Sequence, residues 1–172
     1  MIAVGLDVAL EALPWGPARI GLLTHRAAVS ADGRPACQAL LEGGARIVRL
    51  LSPEHGLNAS APAGATVTSG TDVASGLPVV SLYGARRQPN GEDLEGLEAI
   101  AVDLQDVGAR CYTYASTTIL TLRAAAAPGC RCGSSIGRTR WAGIWSRECC
   151  VSRSWSRSWP AADPDPSRSD AG

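Results

Sequence analysis

Four short apolar runs, each ending in a cluster of polar residues, constrain this chain more than any other feature. They are Ala18 to Thr24, Ala45 to Leu51, Pro78 to Leu82 and Ala99 to Leu104. Runs of this length are buried strands when helical patterns lie between them, and alternation of the two predicts a mainly parallel sheet with helices on its faces. The intervening segments fit: Pro35 to Leu41 reads as a helix closed by Gly43 and Gly44, Glu92 to Leu97 as a short helix, and Tyr112 to Ala126 as a longer one. A Gly/Ala/Ser/Thr loop from Leu57 to Gly76 separates the second and third strands. The fold class expected is therefore α/β.

In such sheets the ligand crevice lies beyond the carboxyl ends of the strands, and the polar clusters of this chain fall there. The first strand runs into Thr24-His25-Arg26, the second into Ser52-Pro53-Glu54-His55-Gly56, the third into Tyr83-Gly84-Ala85-Arg86-Arg87, and the fourth into Gln105-Asp106-Val107-Gly108-Ala109-Arg110. Taken singly each has an ordinary explanation. Glu54 or Asp106 alone is more often a helix cap or a surface charge, His25 or His55 a hydrogen-bonded structural residue, and Cys111 a core thiol. Their convergence at one edge gives them weight.

Composition narrows the chemistry. With 172 residues and a formal net charge of zero, nothing favours nucleic acid or an anionic membrane surface as a partner. No apolar run reaches membrane-spanning length and Met1 to Asp7 lacks a signal-peptide pattern, so a soluble, cytoplasmic chain is expected. Of six cysteines, Cys37 and Cys111 stand alone and read as reduced core thiols. No glycine-rich phosphate loop follows the first strand, which counts against a nucleotide, and no G-x-S-x-G elbow surrounds Ser52 or Ser81.

Several blocks together carry a family resemblance: Gly5-Leu6-Asp7-Val8, Gly21-Leu22-Leu23-Thr24, Leu51-Ser52-Pro53-Glu54-His55-Gly56-Leu57, Gly76-Leu77-Pro78-Val79 with Ser81-Leu82-Tyr83-Gly84, and Asp103-Leu104-Gln105-Asp106-Val107-Gly108-Ala109-Arg110 with Tyr112-Thr113-Tyr114. In order and spacing residues 2–127 resemble the NamZ-type exo-β-N-acetylmuramidases. The resemblance implies a Rossmann-like catalytic domain over residues 1–127, here incomplete. It implies release of terminal N-acetylmuramic acid from the non-reducing end of peptidoglycan fragments, with a muramyl saccharide as partner and neither metal nor cofactor. Glycosidic hydrolysis needs a proton donor and a second group that activates water or attacks the sugar. Glu54, beside His55 and apolar neighbours, is the candidate acid if burial raises its pKa, and Asp106 the candidate second carboxylate. Tyr112, Tyr114, Gln105 and His55 are candidates for ring stacking and hydrogen bonds to the sugar. Thr24 and Tyr83, at the same strand ends, are further candidates for binding the substrate, and Arg110 is the candidate for the lactyl carboxylate. The alternative is a non-catalytic Rossmann-like sugar-binding module.

The chain departs from the family pattern at His25-Arg26, where Asn-Gln is usual, and at Cys111, which replaces an aromatic. After Ala127 it departs entirely. Residues 128–172 lose all helical and strand periodicity and hold four of the five tryptophans, so they read as an irregular, disordered tail. Back-translating Ser134 to Cys150 with GC-rich codons and reading from the third base of each codon gives Val-Asp-Arg-Pro-Asn-Pro-Leu-Gly-Gly-Asp-Leu-Val-Glu-Gly-Met-Leu. That is the block the family pattern calls for, and the expectation is a tail read in a shifted frame after a base lost or gained near Ala125 to Pro128. Frame-shifted noise also accounts for two tempting motifs, the Cys130, Cys132, Cys149 and Cys150 group as a zinc site and Ser152 to Trp159 as an RNA-binding run.

Overall fold

The computed structural model describes residues 5–12, 14–109, 111–126 and 131–134. In chain order these form α1 (Gly5–Ala12), β1 (Ile20–Thr24), α2 (Ala36–Glu42), β2 (Ile47–Ser52), β3 (Gly70–Thr71), β4 (Pro78–Ser81), α3 (Gly91–Leu94), β5 (Ala99–Asp103), α4 (Tyr114–Ala126) and β6 (Arg131–Ser134). The sheet order is β3-β4-β2-β1-β5-β6. All pairings are parallel except that of β3 with β4. The α/β expectation holds: β1 is central, the chain winds outward through β2 and β4, then returns to the other side of β1 as β5. This is the doubly wound, Rossmann-like order, and its switch point lies between β1 and β5.

Alternation along the strands divides the core into two layers. Ile20, Leu22, Leu50, Ala99 and Ala101 point to one face with Leu6 of α1 and Ala36 and Leu40 of α2. Leu23, Leu51, Ile100 and Val102 point to the other with Leu94, Leu97, Tyr114 and Ala125. Every residue of β1 and β5 is buried, which is why these strands read as unbroken apolar runs.

Some boundaries differ for local reasons. Pro35 sits at the N-cap of α2 and the helix ends at Glu42 against Gly43. α3 is a single turn held by a reciprocal cap, with the Asn90 side chain accepting from the Asp93 amide and the Asp93 carboxylate from the Asn90 amide. α4 starts at Tyr114, two residues later than expected. α1 and β3 carry too little pattern to be foreseen. β6 corrects the expectation of an irregular chain after Ala127: Arg131–Ser134 pairs in parallel register with Ala99–Val102. The open edge of β5 offers a row of backbone donors and acceptors that needs no apolar period in its partner. The remainder of the expected tail, residues 128–130 and from residue 135 onward, lies outside the described residues.

The core-thiol reading needs correction at Cys111, while Cys37 packs against the first core layer. Cys111 is exposed and Cys37 only half-buried, and both are free. Burial pushes the Cys37 thiol up, against a hydrogen bond with Ser75 that lowers it.

Candidate active site

Glu54 follows β2 in a tight loop, 9 % exposed. The loop reverses through two successive left-handed residues, His55 at φ 69° and Gly56 at φ 78°. Glycine adopts that conformation freely, whereas histidine there is strained and must be held by its contacts. His55 Nδ1 lies 2.7 Å from the Ala61 carbonyl oxygen, so that nitrogen carries a proton and donates.

The Glu54 carboxylate collects donors from three distant segments. The Thr113 hydroxyl donates to Oε2 at 2.7 Å, the Gly64 amide donates to Oε1 at 2.9 Å, and the Tyr83 side chain adds a third hydrogen bond. Burial alone raises the pKa of this group and is the largest single influence. The hydrogen bonds of Thr113, Gly64 and Tyr83, with the positive potential of His55, together outweigh it and hold the carboxyl below its ordinary value. The expectation of a raised pKa is thus overturned: Glu54 rests ionised, because its pocket is lined with donors rather than apolar groups.

Asp106, at the far side of the switch point, is engaged by the backbone. Its Oδ1 accepts from the Gly108 amide at 2.7 Å and its Oδ2 from the Ala115 amide at 3.2 Å, in the first turn of α4. It therefore also serves as a cap for that helix.

The aromatic residues cluster, though not all as sugar platforms. Tyr114 is 3 % exposed, with its ring edge-on to His25 at 4.9 Å and to Tyr112 at 4.8 Å between centroids, and its hydroxyl 3.4 Å from the Glu54 carbonyl. Burial, then the charges of Tyr112, Glu54 and Asp106, push its phenol up to about 12, so it stays protonated. Tyr114 is a wall holding Glu54 from behind and does not offer a face for stacking; among the candidate stacking rings, Tyr112 is half-buried and keeps some. Tyr83 is buried too, with the Arg87 guanidinium 3.8 Å from its ring centroid.

Thr24 is buried at the end of β1 opposite Asp103, its hydroxyl at a long 3.5 Å from the His25 carbonyl. Gln105 is half-buried, and its backbone amide donates to His25 Nε2 at 2.9 Å. That bond ties the ends of β1 and β5 together across the switch point. Burial lowers His25 from 6.5 to about 4, so the ring is neutral and Nδ1 carries its proton. Arg110 lies outside the described residues.

The structure thus brings Glu54, His55, Tyr83, Gln105, Asp106, Tyr112 and Tyr114 to one edge. It adds two residues that sequence reasoning left without a role, Thr113 and Gly64 on the Glu54 carboxylate, and gives His25 a hydrogen-bonded structural role as a backbone latch. Thr113 lay inside a quoted motif between two tyrosines, but Gly64 acts through its backbone and leaves no sequence signal. A separate cavity of about 270 Å³ lies beside this edge, lined by Thr66, Val67, Ser69, Ser81, Gly84, Ala85 and Arg86.

A mainly parallel α/β sheet thus carries a carboxylate, a half-buried histidine and a cluster of tyrosines at its carboxyl edge. The chain belongs to the NamZ family: residues 20–132 match the family model described as exo-beta-N-acetylmuramidase NamZ, N-terminal. It is 39 % identical over 108 residues to the peptidoglycan beta-N-acetylmuramidase NamZ of Bacillus subtilis strain 168, a match covering 62 % of this chain and 26 % of the relative. The chain thus spans about a quarter of the length of that relative. Two crystal structures of DUF1343-family proteins from Bacteroides fragilis NCTC 9343 share the architecture. One has a TM-score of 0.70 at 31 % identity and the other 0.62 at 24 %, each covering 77 % of this chain and 34 % of its own, and the second likeness bears on fold alone. The family expectation from the sequence blocks holds.

Proposed function

We propose that this chain carries the catalytic part of an exo-acting glycoside hydrolase that releases terminal N-acetylmuramic acid from peptidoglycan fragments, a step of cell-wall turnover. The observation that carries it is the Glu54 carboxylate, held ionised by three donors at the carboxyl edge of a NamZ-family sheet. An ionised carboxylate suits the group that activates water or attacks the anomeric carbon. The acid role read from sequence therefore passes to another group. Asp106 and His55 are the candidates, since both stand at the same edge as Glu54, with Asp106 held by the Gly108 and Ala115 amides and His55 by the Ala61 carbonyl.

A second reading is a non-catalytic sugar-binding module, favoured by the engagement of both Asp106 oxygens with the backbone of α4 and its approach. Glu54→Gln separates the two. In the hydrolase it abolishes release of N-acetylmuramic acid from a chromogenic N-acetylmuramide and preserves sugar binding. In a binding module there is no release to abolish.

We propose further that the reading frame changes near Ala125 to Pro128, supported by the Asp-Arg-Pro-Asn-Pro block recovered from the codons of residues 134–150. In the present frame the chain lacks that block, and weak activity or none is the corresponding expectation.

A further inference from the structure

Two consecutive arginines follow β4 and the fold uses them differently. Arg86 pairs with Asp93 at 2.8 Å, and Asp93 is 8 % exposed and fixed in the reciprocal cap of α3, so that cation is committed to structure. Arg87 is exposed and takes part in none of the ion pairs among the described residues. Its guanidinium instead rests over the Tyr83 ring, 3.8 Å from the centroid. Tyr83 in turn hydrogen-bonds the Glu54 carboxylate. A charge that loses its side-chain freedom without gaining a counter-ion is thereby parked one aromatic ring from the carboxylate at the centre of the site. A guanidinium seated on a ring face keeps N–H donors for a partner in its own plane, and its fork matches a carboxylate in two parallel bonds.

We propose that Arg87, in the role that the sequence reading gave to Arg110, is a specificity-determining residue that takes the carboxylate of an acidic sugar, the lactyl group that distinguishes muramic acid from glucosamine. This rests on the muramidase reading above. Tyr83 acts as the shared platform: its hydroxyl orients Glu54 and its face positions the cation, so the carboxylate of the sugar and the bond to be cleaved are placed by one side chain.

The test is an NMR titration of the chain with N-acetylmuramic acid, its uncharged carboxamide and N-acetylglucosamine, repeated on Arg87→Ala, Arg87→Gln and Arg87→Lys. The wild-type chain is expected to bind the acid about fivefold or more tightly than either neutral sugar, a preference that shrinks with added salt. Ala and Gln at this exposed position bring the acid to parity while leaving N-acetylglucosamine affinity unchanged, and Lys keeps part of the preference. Retention of the full preference in Arg87→Ala and Arg87→Gln would overturn the role of Arg87 and leave the muramidase reading standing. Equal affinity of the wild-type chain for acid and carboxamide overturns it without any variant. Absence of binding to all three sugars overturns both.

Discussion

The hydroxyl of Thr113 donates to Oε2 of Glu54 at 2.7 Å, joining the start of α4 to the loop after β2 across 59 residues of sequence. This bond is one of the forces that keep the carboxyl ionised against the pull of burial. In the frame-restored chain, Thr113→Val, which keeps the shape and removes the donor, is expected to raise the Glu54 pKa and move the acid limb of the activity–pH profile upward, while Thr113→Ser restores it. The variant also loses about 1–2 kcal/mol of stability, because a buried carboxylate gives up a partner. An acid limb that stays in place in Thr113→Val would remove Thr113 from the account.

His25 makes a separate, pH-dependent contribution. Its folded-state pKa of about 4 lies below the unperturbed 6.5 because burial disfavours the imidazolium. Between those values the unfolded chain binds a proton that the folded chain refuses. Stability is therefore fully present above pH 6.5 and is lost as pH falls toward 4, by on the order of 3 kcal/mol. Denaturant titrations across this window should show that slope, flattened in His25→Gln, which still offers an acceptor to the Gln105 amide. An identical slope in the variant would show that other groups dominate.

Gly21 is the second residue of β1 and faces the second core layer. A Cβ there would meet Leu97 Cδ1 at 2.8 Å and Ile100 Cδ1 at 2.9 Å. Both are buried and packed, so Gly21→Ala should cost about 1–3 kcal/mol. Leu97→Ala in the same chain should recover part of that cost, visible as a favourable coupling in a double-mutant cycle. Additive effects would mean that the clash is relieved elsewhere.

The strands were legible because β1 and β5 are fully buried runs, β2 and β4 are apolar runs buried toward their carboxyl ends, and a doubly wound sheet makes their polar ends converge. The candidate carboxylate was legible for the same reason, since Glu54 follows a strand directly. Its ionisation state was not. That depends on Gly64 and Thr113, 10 and 59 residues away, and on whether burial or hydrogen bonding prevails. The exposure of Cys111 and the enclosure of Tyr114 escaped for a related reason: both lie near the start of α4, and which face of a helical turn is covered is settled by its neighbours. β6 was hidden because edge pairing with β5 is a backbone affair.

The frame proposal has its own check at the level of DNA. Sequencing the codons of Ala125 to Pro128 from the source genome should reveal a base lost or gained, and with the frame restored the Asp-Arg-Pro-Asn-Pro block should follow. An unbroken frame there would discard the proposal without touching the family membership, which rests on residues 20–132.

The central claim, that Glu54 is the essential carboxylate of a muramidase, is tested most directly by the rate of N-acetylmuramic acid release from a chromogenic N-acetylmuramide. The comparison is between the frame-restored chain, extended to the length of the Bacillus subtilis relative, and the same chain carrying Glu54→Gln. The account predicts clear release by the former and a loss of about a thousandfold or more in the variant, with sugar binding retained. Undiminished release by Glu54→Gln, or a folded, sugar-binding restored chain that releases nothing, would contradict it.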